Sequence, residues 1–330
     1  MKNATAPIDS LGRRINYLRL SVTDRCNLRC AYCMPAEGVP KRTHGDILRY
    51  EDLLRVSEAA LTLGMEKIRV TGGEPLVRKG IVRFLERLSG LPGLKRLVLT
   101  TNGVLLKDMA GGLKDAGVES LNISLDSLRP DTYSRITRGG DLRRVLEGIE
   151  AVERVGFPFV KINVVVLRGV NDDEAADFAA LTLDRPYRVR FIEHMPTLPG
   201  DSGRNLTVPG EELLRKLSGR FRLLPVSRED LNGPASYYRI EGAVGMLGVI
   251  TPVSCHFCGE CNRIRVSSTG IARSCLFSGA GVDLKPFLEG GDDAALRCAL
   301  RGVIEAKPER HFLCGDPEGK APLPMSQVGG

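Results

Sequence analysis

The sequence predicts an α/β fold in which a partial (β/α)6 TIM barrel precedes a smaller C-terminal subdomain. Six short segments of apolar or alternating residues favour strands, at 18–23, 67–71, 96–101, 120–125, 159–167 and 188–192. Helical patterns lie between them, at 50–64, 79–90, 104–116, 141–155 and 173–183. Strands that alternate with helices pair in parallel through right-handed crossovers, and six such units form three-quarters of a closed eight-unit barrel.

Local signals support the ends of these elements. Helix 50–64 has a broad apolar stripe that suits a core-facing helix. Gly64, Gly117 and Gly156 each follow a helical run and suit its C-terminal cap. Asn171 with Glu174 is typical of a capping pair at the start of helix 173–183. A further helix is expected at 210–218, inside an otherwise irregular stretch.

The domain organisation is predicted from the length of the chain and from an irregular stretch that contains Pro and Gly residues. A chain of 330 residues exceeds the usual size of one domain, so a large domain with a smaller one is expected. We predict a flexible N-terminal lead at 1–14, a barrel core at 15–225 and a C-terminal domain at 226–330.

Composition restricts the classes of function. No apolar run approaches the roughly 20 residues that span a bilayer, and the first 14 residues lack a signal-peptide pattern, so a cytoplasmic location is expected. A net charge of +7 favours an anionic partner. Nucleic acid is the ordinary partner of a basic chain, but with no Trp and 5% aromatic residues a small polyanion such as a nucleoside triphosphate fits at least as well.

Three cysteines follow the first predicted strand. Cys26, Cys30 and Cys33 form a C-x3-C-x2-C pattern, and a chain without a secretion signal favours metal over disulfides. Structural zinc takes four protein ligands, whereas three thiolates can each bind one iron of a [4Fe–4S] cube and leave the fourth iron open. An incomplete zinc knuckle or buried thiols are the alternatives.

Polar residues cluster where the predicted strands end. Thr71-Gly72-Gly73-Glu74-Pro75 follows the second strand, and its glycines let the backbone approach a ligand, although a plain tight turn would use them too. Later strands carry polar or cationic residues on one face: Thr100, Asn122, Ser124, Asp126, Lys161, Asn163, Arg188 and Arg190. Active sites of barrels lie at the carboxyl ends of strands, so these residues are candidates for a ligand in the barrel mouth.

A second set of cysteines lies near the C-terminus. Cys255, Cys258, Cys261 and Cys275 allow a ferredoxin-like C-x2-C-x2-C, a four-cysteine zinc site, or a C-x2-C-x13-C trio. Cys298 and Cys314 have no partner at metal-binding spacing and are interpreted as structural. Arg263 and Arg265 follow this set and would point the same way in a strand, an arrangement that suits a polyphosphate.

These residues carry a resemblance to a known family. C-x3-C-x2-C after a first strand, with Tyr32 before the last cysteine, resembles the radical S-adenosylmethionine (SAM) superfamily. The longer string around it, together with the second cysteine set, is similar to the GTP 3′,8-cyclase family of molybdenum cofactor biosynthesis, from about Leu11 to Gly330. The resemblance implies a barrel of radical SAM type with a C-terminal iron–sulfur subdomain.

The resemblance also implies an activity and its residues. The family converts GTP to (8S)-3′,8-cyclo-7,8-dihydroguanosine 5′-triphosphate, using a 5′-deoxyadenosyl radical that removes the ribose 3′-hydrogen. Its cofactors are SAM and two [4Fe–4S] clusters, one on Cys26, Cys30 and Cys33 and one on Cys258, Cys261 and Cys275. The implied SAM-binding residues are Tyr32, Gly73, Ser124 and Met195. The implied GTP-binding residues are Arg19, Arg69, Thr100, Lys161, Arg263 and Arg265. The C-terminal Gly329 and Gly330 are implied to enter the active site and serve catalysis.

The implied partners are a reductant protein such as flavodoxin or ferredoxin, and cyclic pyranopterin monophosphate synthase as the downstream enzyme. No nucleic acid or membrane partner is expected, and the chain is expected to be a monomer or homodimer. The sequence also leaves two rival functions open. One is another two-cluster radical SAM enzyme that modifies a peptide, and the other is a non-enzymatic zinc or nucleic-acid-binding module.

Overall fold

A computed structural model gives the fold and describes residues 6–39, 42–196, 206–227, 233–278, 281–311 and 325. The described residues form a sheet whose strands, in chain order, are β1 (Tyr17–Ser21), β2 (Lys67–Thr71), β3 (Arg96–Thr101), β4 (Ser120–Ser124), β5 (Phe159–Val166), β6 (Arg188–Glu193), β7 (Leu223–Val226), β8 (Ser236–Ile240), β9 (Met246–Ile250), β10 (Arg263–Val266), β11 (Ile271–Arg273) and β12 (Val282–Asp283). Strands β1 to β6 are neighbours in sequence order and pair in parallel, which confirms the partial barrel.

The helices pack on the outside of these strands. In chain order they are α1 (Tyr50–Thr62), α2 (Ile81–Ser89), α3 (Leu106–Asp115), α4 (Pro130–Thr137), α5 (Leu142–Val155), α6 (Ala175–Asp184), α7 (Gly210–Ser218), α8 (Lys285–Glu289) and α9 (Asp293–Glu305). The expected C-terminal glycines are in place, because Gly64, Gly117 and Gly156 all have positive φ. No helix in the described parts of the chain combines the length and apolar character that crossing a membrane requires.

Two local expectations were wrong or incomplete. Helix α4 was not predicted, although Pro130 at its first turn is a helix-start residue. Asn171 and Glu174 do not form a capping pair. The amide of Asn171 instead donates to the carbonyl oxygen of Asp126 at 2.6 Å, and the buried carboxylate of Glu174 accepts from Ser127 Oγ at 2.7 Å. Both side chains therefore stabilise the loop after β4, where buried donors and acceptors need partners.

The chain from β7 onward extends the same sheet at both edges. Strand β10 pairs in parallel with β1, and β9 pairs in parallel with β6. The antiparallel strands β11 and β12 continue beyond β10, and β8 and β7 continue beyond β9. The segments that carry the second cysteine set are thereby held beside the first strand of the barrel.

The two faces of the parallel strands differ sharply in chemistry. The outward face is apolar and buried against the helices, at Leu18, Leu20, Ile68, Val70, Leu97, Leu99, Leu121, Ile123, Ile162, Val164, Val189 and Phe191. The alternate positions carry polar or cationic residues, at Arg19, Lys67, Arg69, Thr100, Asn122, Ser124, Lys161, Asn163 and Arg190. Burial of the apolar face stabilises the fold, which leaves the other face free for a ligand.

Candidate functional site

One cavity is lined by both cysteine trios. Cys26, Cys30 and Cys33 face it from the loop after β1, and Cys258, Cys261 and Cys275 face it from the C-terminal segments. Its walls also include the residues that end β2, β3, β4 and β6, so it lies at the carboxyl ends of the strands, as expected for a barrel enzyme. Two cysteine sets that are more than 220 positions apart in sequence (258 − 33 = 225) therefore share one chamber.

The first trio has the environment of an iron–sulfur site. Its thiols are half-buried and free of disulfides. Cys26 Sγ accepts from the backbone N–H of Leu28 at 3.4 Å and from Asn102 Nδ2 at 3.7 Å. Burial raises the pKa of the Cys26 thiol to about 11. Hydrogen bonds to sulfur from nearby amides are typical of cluster ligands, so three thiols in one loop fit a cube with an open iron.

Gly72 and Gly73 bring the loop after β2 against the first cysteine loop. The backbone N–H of Gly73 donates to Thr23 O at 2.8 Å, and that of Glu74 donates to Arg25 O at 2.8 Å. A Cβ on Gly73 would lie 2.4 Å from Arg25 O, so only glycine permits this approach. The motif predicted to bind a ligand thus also supports the segment that leads into Cys26.

Glu74 stabilises the loop after β2 through its side chain. Its buried carboxylate accepts from Leu76 N at 3.0 Å, Thr101 Oγ1 at 2.9 Å and Asn102 N at 2.7 Å. Burial raises the pKa of Glu74 to about 7, although these three hydrogen bonds act in the opposite direction. The side chain therefore connects the ends of β2 and β3 rather than facing the ligand space.

Tyr32 and Asp126 form a buried pair on the cavity wall. Tyr32 Oη donates to Asp126 Oδ2 at 2.6 Å, and the backbone N–H of Val165 donates to Asp126 Oδ1 at 2.8 Å. Burial raises the pKa of Asp126 to about 6, while the hydrogen bonds from Tyr32 and Val165 lower it. The polar face predicted for β4 is therefore accounted for at Asp126, and Ser124 lines the cavity beside it.

The second trio lies beside cationic groups. Burial opposes ionisation of Cys261, but Arg263 and Lys307 outweigh it and lower the pKa of its thiol to about 7. Within the described ranges, no three His, Cys, Asp or Glu side chains are grouped to hold a single metal ion. The thiolates of a [4Fe–4S] cube each bind a different iron, so they are spaced more widely than the ligands of one ion.

Three arginines lie side by side across three neighbouring strands. Arg19 of β1 is in register with Arg265 of β10 on one side and with Arg69 of β2 on the other. Tyr17 lies between Arg263 and Lys67 in the row before them. Burial raises the pKa of Tyr17, but Arg69 and Arg19 oppose it so strongly that the value falls to about 7. This shift indicates a strong positive field at the floor of the site.

Several polar atoms of the cavity lining lack a hydrogen-bond partner within the described residues. The buried Nε atoms of Arg19 and Arg69 and the Oγ1 of Thr100 make no hydrogen bond within the described part of the chain. Burial lowers the pKa of Arg69 to about 9. Buried cations and unpaired donors are unfavourable unless an anion accepts from them. The arrangement is therefore suited to a polyanionic ligand.

Most predicted site residues lie together. Those that line the cavity are Cys26, Cys30, Cys33, Cys258, Cys261, Cys275, Tyr32, Gly73, Ser124, Met195, Arg19, Arg69, Thr100, Arg263 and Arg265. Lys161 does not line it, because it lies two positions before Asn163 on β5 and is deeper in the barrel. Its Nζ is 3.3 Å from Ser120 Oγ, and burial lowers the pKa of Lys161 to about 6. Gly329 and Gly330 lie outside the described residues, although Met325 reaches the cavity wall.

Arg190, one of the cationic candidates for a ligand in the barrel mouth, lines the cavity. Its guanidinium donates to Asn122 Oδ1 at 2.6 Å and, through Nε, to Asn163 Oδ1 at 2.9 Å. The signal was present, because all three residues were on the predicted polar faces of their strands. Sequence alone did not reveal that they bind one another.

Two family models match consecutive parts of the chain. The Radical SAM superfamily model matches residues 20–182, which contain the first cysteine trio. The Molybdenum Cofactor Synthesis C model matches residues 187–313, which contain the second trio and Arg263 and Arg265.

Solved structures with the same fold have little sequence similarity to this chain. Streptococcus suis SuiB bound to precursor peptide SuiA gives a TM-score of 0.60 at 15% identity, covering 88% of this chain and 67% of that one. Native anSMEcpe with bound AdoMet gives a TM-score of 0.55 at 16% identity, covering 88% of this chain and 83% of that one. These likenesses concern the fold alone.

Curated relatives match over nearly the full length. The GTP 3′,8-cyclase of Geobacter sulfurreducens is 60% identical over 323 residues, which are 98% of this chain and 99% of the relative. The GTP 3′,8-cyclase of Peptoclostridium acidaminophilum is 49% identical over 315 residues, which are 95% of each chain. The chain therefore belongs to the GTP 3′,8-cyclase family of the radical SAM superfamily.

Proposed function

We propose that this chain cyclises GTP to (8S)-3′,8-cyclo-7,8-dihydroguanosine 5′-triphosphate, the first step of molybdenum cofactor biosynthesis. One observation carries the proposal: both cysteine trios and a row of buried arginines line a single cavity. That arrangement lets one chamber hold both a radical source and a polyanionic substrate.

The first trio and its surroundings serve the radical source. Cys26, Cys30 and Cys33 would hold a [4Fe–4S] cluster, and that cluster would supply one-electron reduction chemistry to bound SAM. Gly73 presents backbone groups to the SAM amino acid moiety because it has no side chain. The other proposed SAM-binding residues are Tyr32, Ser124 and Met195, all on the cavity wall. Asp126 holds the Tyr32 hydroxyl and so fixes that wall.

Other residues of the cavity wall serve the substrate. Cys258, Cys261 and Cys275 would hold the second [4Fe–4S] cluster near the guanine. Arg19, Arg69, Arg263 and Arg265 would bind the triphosphate, because guanidinium forks match phosphate oxygens. The Nε atoms of Arg19 and Arg69 also make no hydrogen bond to any described residue. The proposed roles of Thr100 and Lys161 are in the same nucleotide site, with Lys161 acting from deeper in the barrel.

The enclosure itself has a chemical role. The reaction would remove a hydrogen atom from ribose C3′ and form a bond from C3′ to guanine C8, and the nucleotide would then regain one electron from the reductant and one proton. A carbon radical reacts with whatever is close, so the chain must orient ribose toward the radical source and keep other groups away. A cavity at the mouth of a barrel with rigid parallel strands on its walls provides that orientation.

The activity is tested by anaerobic incubation of reconstituted protein with SAM, GTP and dithionite, followed by chromatographic separation of the nucleotides and mass analysis. We expect 5′-deoxyadenosine together with a cyclised nucleotide of the same mass as GTP. The proposal would be contradicted if no added nucleotide increased the formation of 5′-deoxyadenosine. It would also be contradicted if the protein modified a peptide in place of GTP. Zinc without iron or sulfide in the purified protein would contradict it as well.

Replacing Arg263 with alanine should weaken GTP binding while SAM cleavage persists. A hydrogen bond to a charged group contributes about 1.5–3 kcal/mol, so we expect the Kd for GTP to rise about 10- to 100-fold. The measurement is calorimetry on anaerobically reconstituted protein, with 5′-deoxyadenosine followed separately. Arg83→Ala, on the exposed face of α2, is the matched control and should bind GTP normally. Equal GTP affinity in Arg263→Ala and the parent protein would refute the assigned role.

The finer partner assignments belong to the same proposal. We propose a flavodoxin or ferredoxin as electron donor, cyclic pyranopterin monophosphate synthase as the enzyme that uses the product, a monomer or homodimer as the assembly, and the cytoplasm as the location. Gly329 and Gly330 are proposed to complete the active site, and Met325 on the cavity wall supports a C-terminal tail that reaches it.

A further inference from the structure

A buried lysine lies behind the second cysteine trio. Lys307 follows α9, and only 4% of its surface is exposed. Its ammonium donates to the carbonyl oxygen of Arg263 at 2.9 Å and to that of Ser274 at 2.6 Å. Arg263 is two residues after Cys261, and Ser274 directly precedes Cys275. One side chain therefore joins the two segments that carry these cysteines.

The lysine also acts on the sulfurs through its charge. Its ammonium interacts electrostatically with Cys261 and, more weakly, with Cys275. Desolvation lowers the pKa of Lys307, and attraction to these two cysteines opposes that effect. A buried ammonium is unfavourable unless negative groups surround it, and thiolates beside it provide that compensation.

A second buried cation holds the third cysteine. Arg13 forms an ion pair with Asp9 at 2.6 Å and donates from Nη1 to the carbonyl oxygen of Cys258 at 2.8 Å. Its Nη2 donates to the carbonyl oxygens of Lys307 at 3.2 Å and Pro308 at 2.9 Å. Both cations thus connect the chain around the trio, and Arg13 fixes the backbone that bears Lys307.

We propose that Lys307 is a positioning residue for the second [4Fe–4S] cluster: it holds the segments of Cys261 and Cys275 in place and its positive charge stabilises the reduced cluster. The inference rests on the proposed function, because it requires a cluster at the second trio. Reduction adds one negative charge to the cluster, and a nearby buried cation favours that state. Loss of the charge should therefore shift the reduction potential to a lower value.

A purely structural role makes a different prediction. If Lys307 only secured the end of α9, its loss would lower the melting temperature but would not change the potential of clusters that remain. The reduction potential of the second cluster is therefore the decisive measurement. The proposal can be judged without measuring the activity of the cluster-containing enzyme.

The experiment uses the full chain with Cys26, Cys30 and Cys33 replaced by alanine, so that the second cluster is the source of the signal. Lys307→Met and Lys307→Arg are reconstituted anaerobically, and iron, sulfide and the potential from redox titration followed by electron paramagnetic resonance are measured. Lys95→Met is the matched control, because Lys95 is exposed and pairs with Glu66. We expect a lower potential in Lys307→Met, a potential close to that of the parent in Lys307→Arg, and no change in Lys95→Met.

Each outcome decides the matter. An unchanged potential in a Lys307→Met protein that holds its cluster would overturn the proposal. If Lys307→Met takes up no cluster, retention of iron in Lys307→Arg supports the proposal, and equal loss in both variants overturns it. Failure of the parent chain to bind a second cluster is a separate result, which would refute the proposed function rather than the role of Lys307 alone.

Discussion

Replacing Cys30 with serine is expected to abolish cyclisation and to halve the iron content. Two [4Fe–4S] clusters correspond to about eight irons per chain, and loss of the first leaves about four. The reason is that a serine hydroxyl is a hard, weakly acidic ligand, whereas iron–sulfur clusters are held by soft thiolates. Without the first cluster, SAM cleavage has no electron source. Iron and sulfide assays with chromatography of 5′-deoxyadenosine measure both effects.

Cys255→Ser is the matched control for this substitution. Cys255 is exposed, and its backbone carbonyl accepts a 2.8 Å hydrogen bond from Thr251 Oγ1, which serine retains. This variant should keep about eight irons and full product formation. A fall to about four irons in Cys255→Ser would show that the second cluster uses a different set of thiols from Cys258, Cys261 and Cys275.

Much of the barrel could be predicted from the sequence because its signals are local. The alternation of Leu18 and Leu20 with Arg19 follows directly from the two-residue period of a strand that is apolar on one side. Positive φ at Gly64 follows from the need to end a helix. The spacing of Cys26, Cys30 and Cys33 is also local, since these three cysteines lie on the one loop after β1. Each of these features depends on neighbours within a few residues.

The remainder depends on contacts between distant segments. Nothing near Lys307 indicates that it meets Arg263 and Ser274, because that contact is created by the pairing of β10 with β1 and the return of the chain after α9. Arg13 looks like one of several basic residues in an N-terminal lead, yet it is buried against Cys258. The depth of Lys161 likewise depends on how strands are tilted and staggered around the barrel, which the period of a strand does not determine.

The resemblance and the physical argument contribute different things to the site. The family motif assigned roles to Arg19 and Arg69, but it gave no reason for their burial. The structure supplies one: three arginines in register on adjacent strands create a field that is unfavourable in the empty protein and favourable with a polyphosphate present. Such a site makes the ligand-free protein less stable and increases its affinity for the polyphosphate, which is common at functional sites.

Replacing Gly73 with alanine should remove the first cluster without touching a cysteine. The added Cβ would lie 2.4 Å from Arg25 O and 2.8 Å from Asp24 O, and both atoms are backbone, so no side chain can move aside. The segment before Cys26 must shift, which destabilises the protein by about 1–3 kcal/mol. We expect iron to fall toward about four per chain and cyclisation to fall at least about 100-fold, because small displacements of reacting groups have effects of that size.

Gly111→Ala separates this local effect from a general intolerance of larger residues. Gly111 lies inside α3, and nothing lies within 4 Å of a Cβ added there. Alanine is a better helix former than glycine by about 1 kcal/mol, so this variant should melt at a higher temperature and keep its clusters. Calorimetric melting, iron content and product formation are compared for both variants. Retention of about eight irons and normal activity in Gly73→Ala would show that the Cys26 thiol stays in place when the backbone at Arg25 shifts. The loop after β2 would then have no supporting role for Cys26. Retained iron with lost SAM affinity would instead place the effect of Gly73 at the ligand itself, which is the other role proposed for this residue.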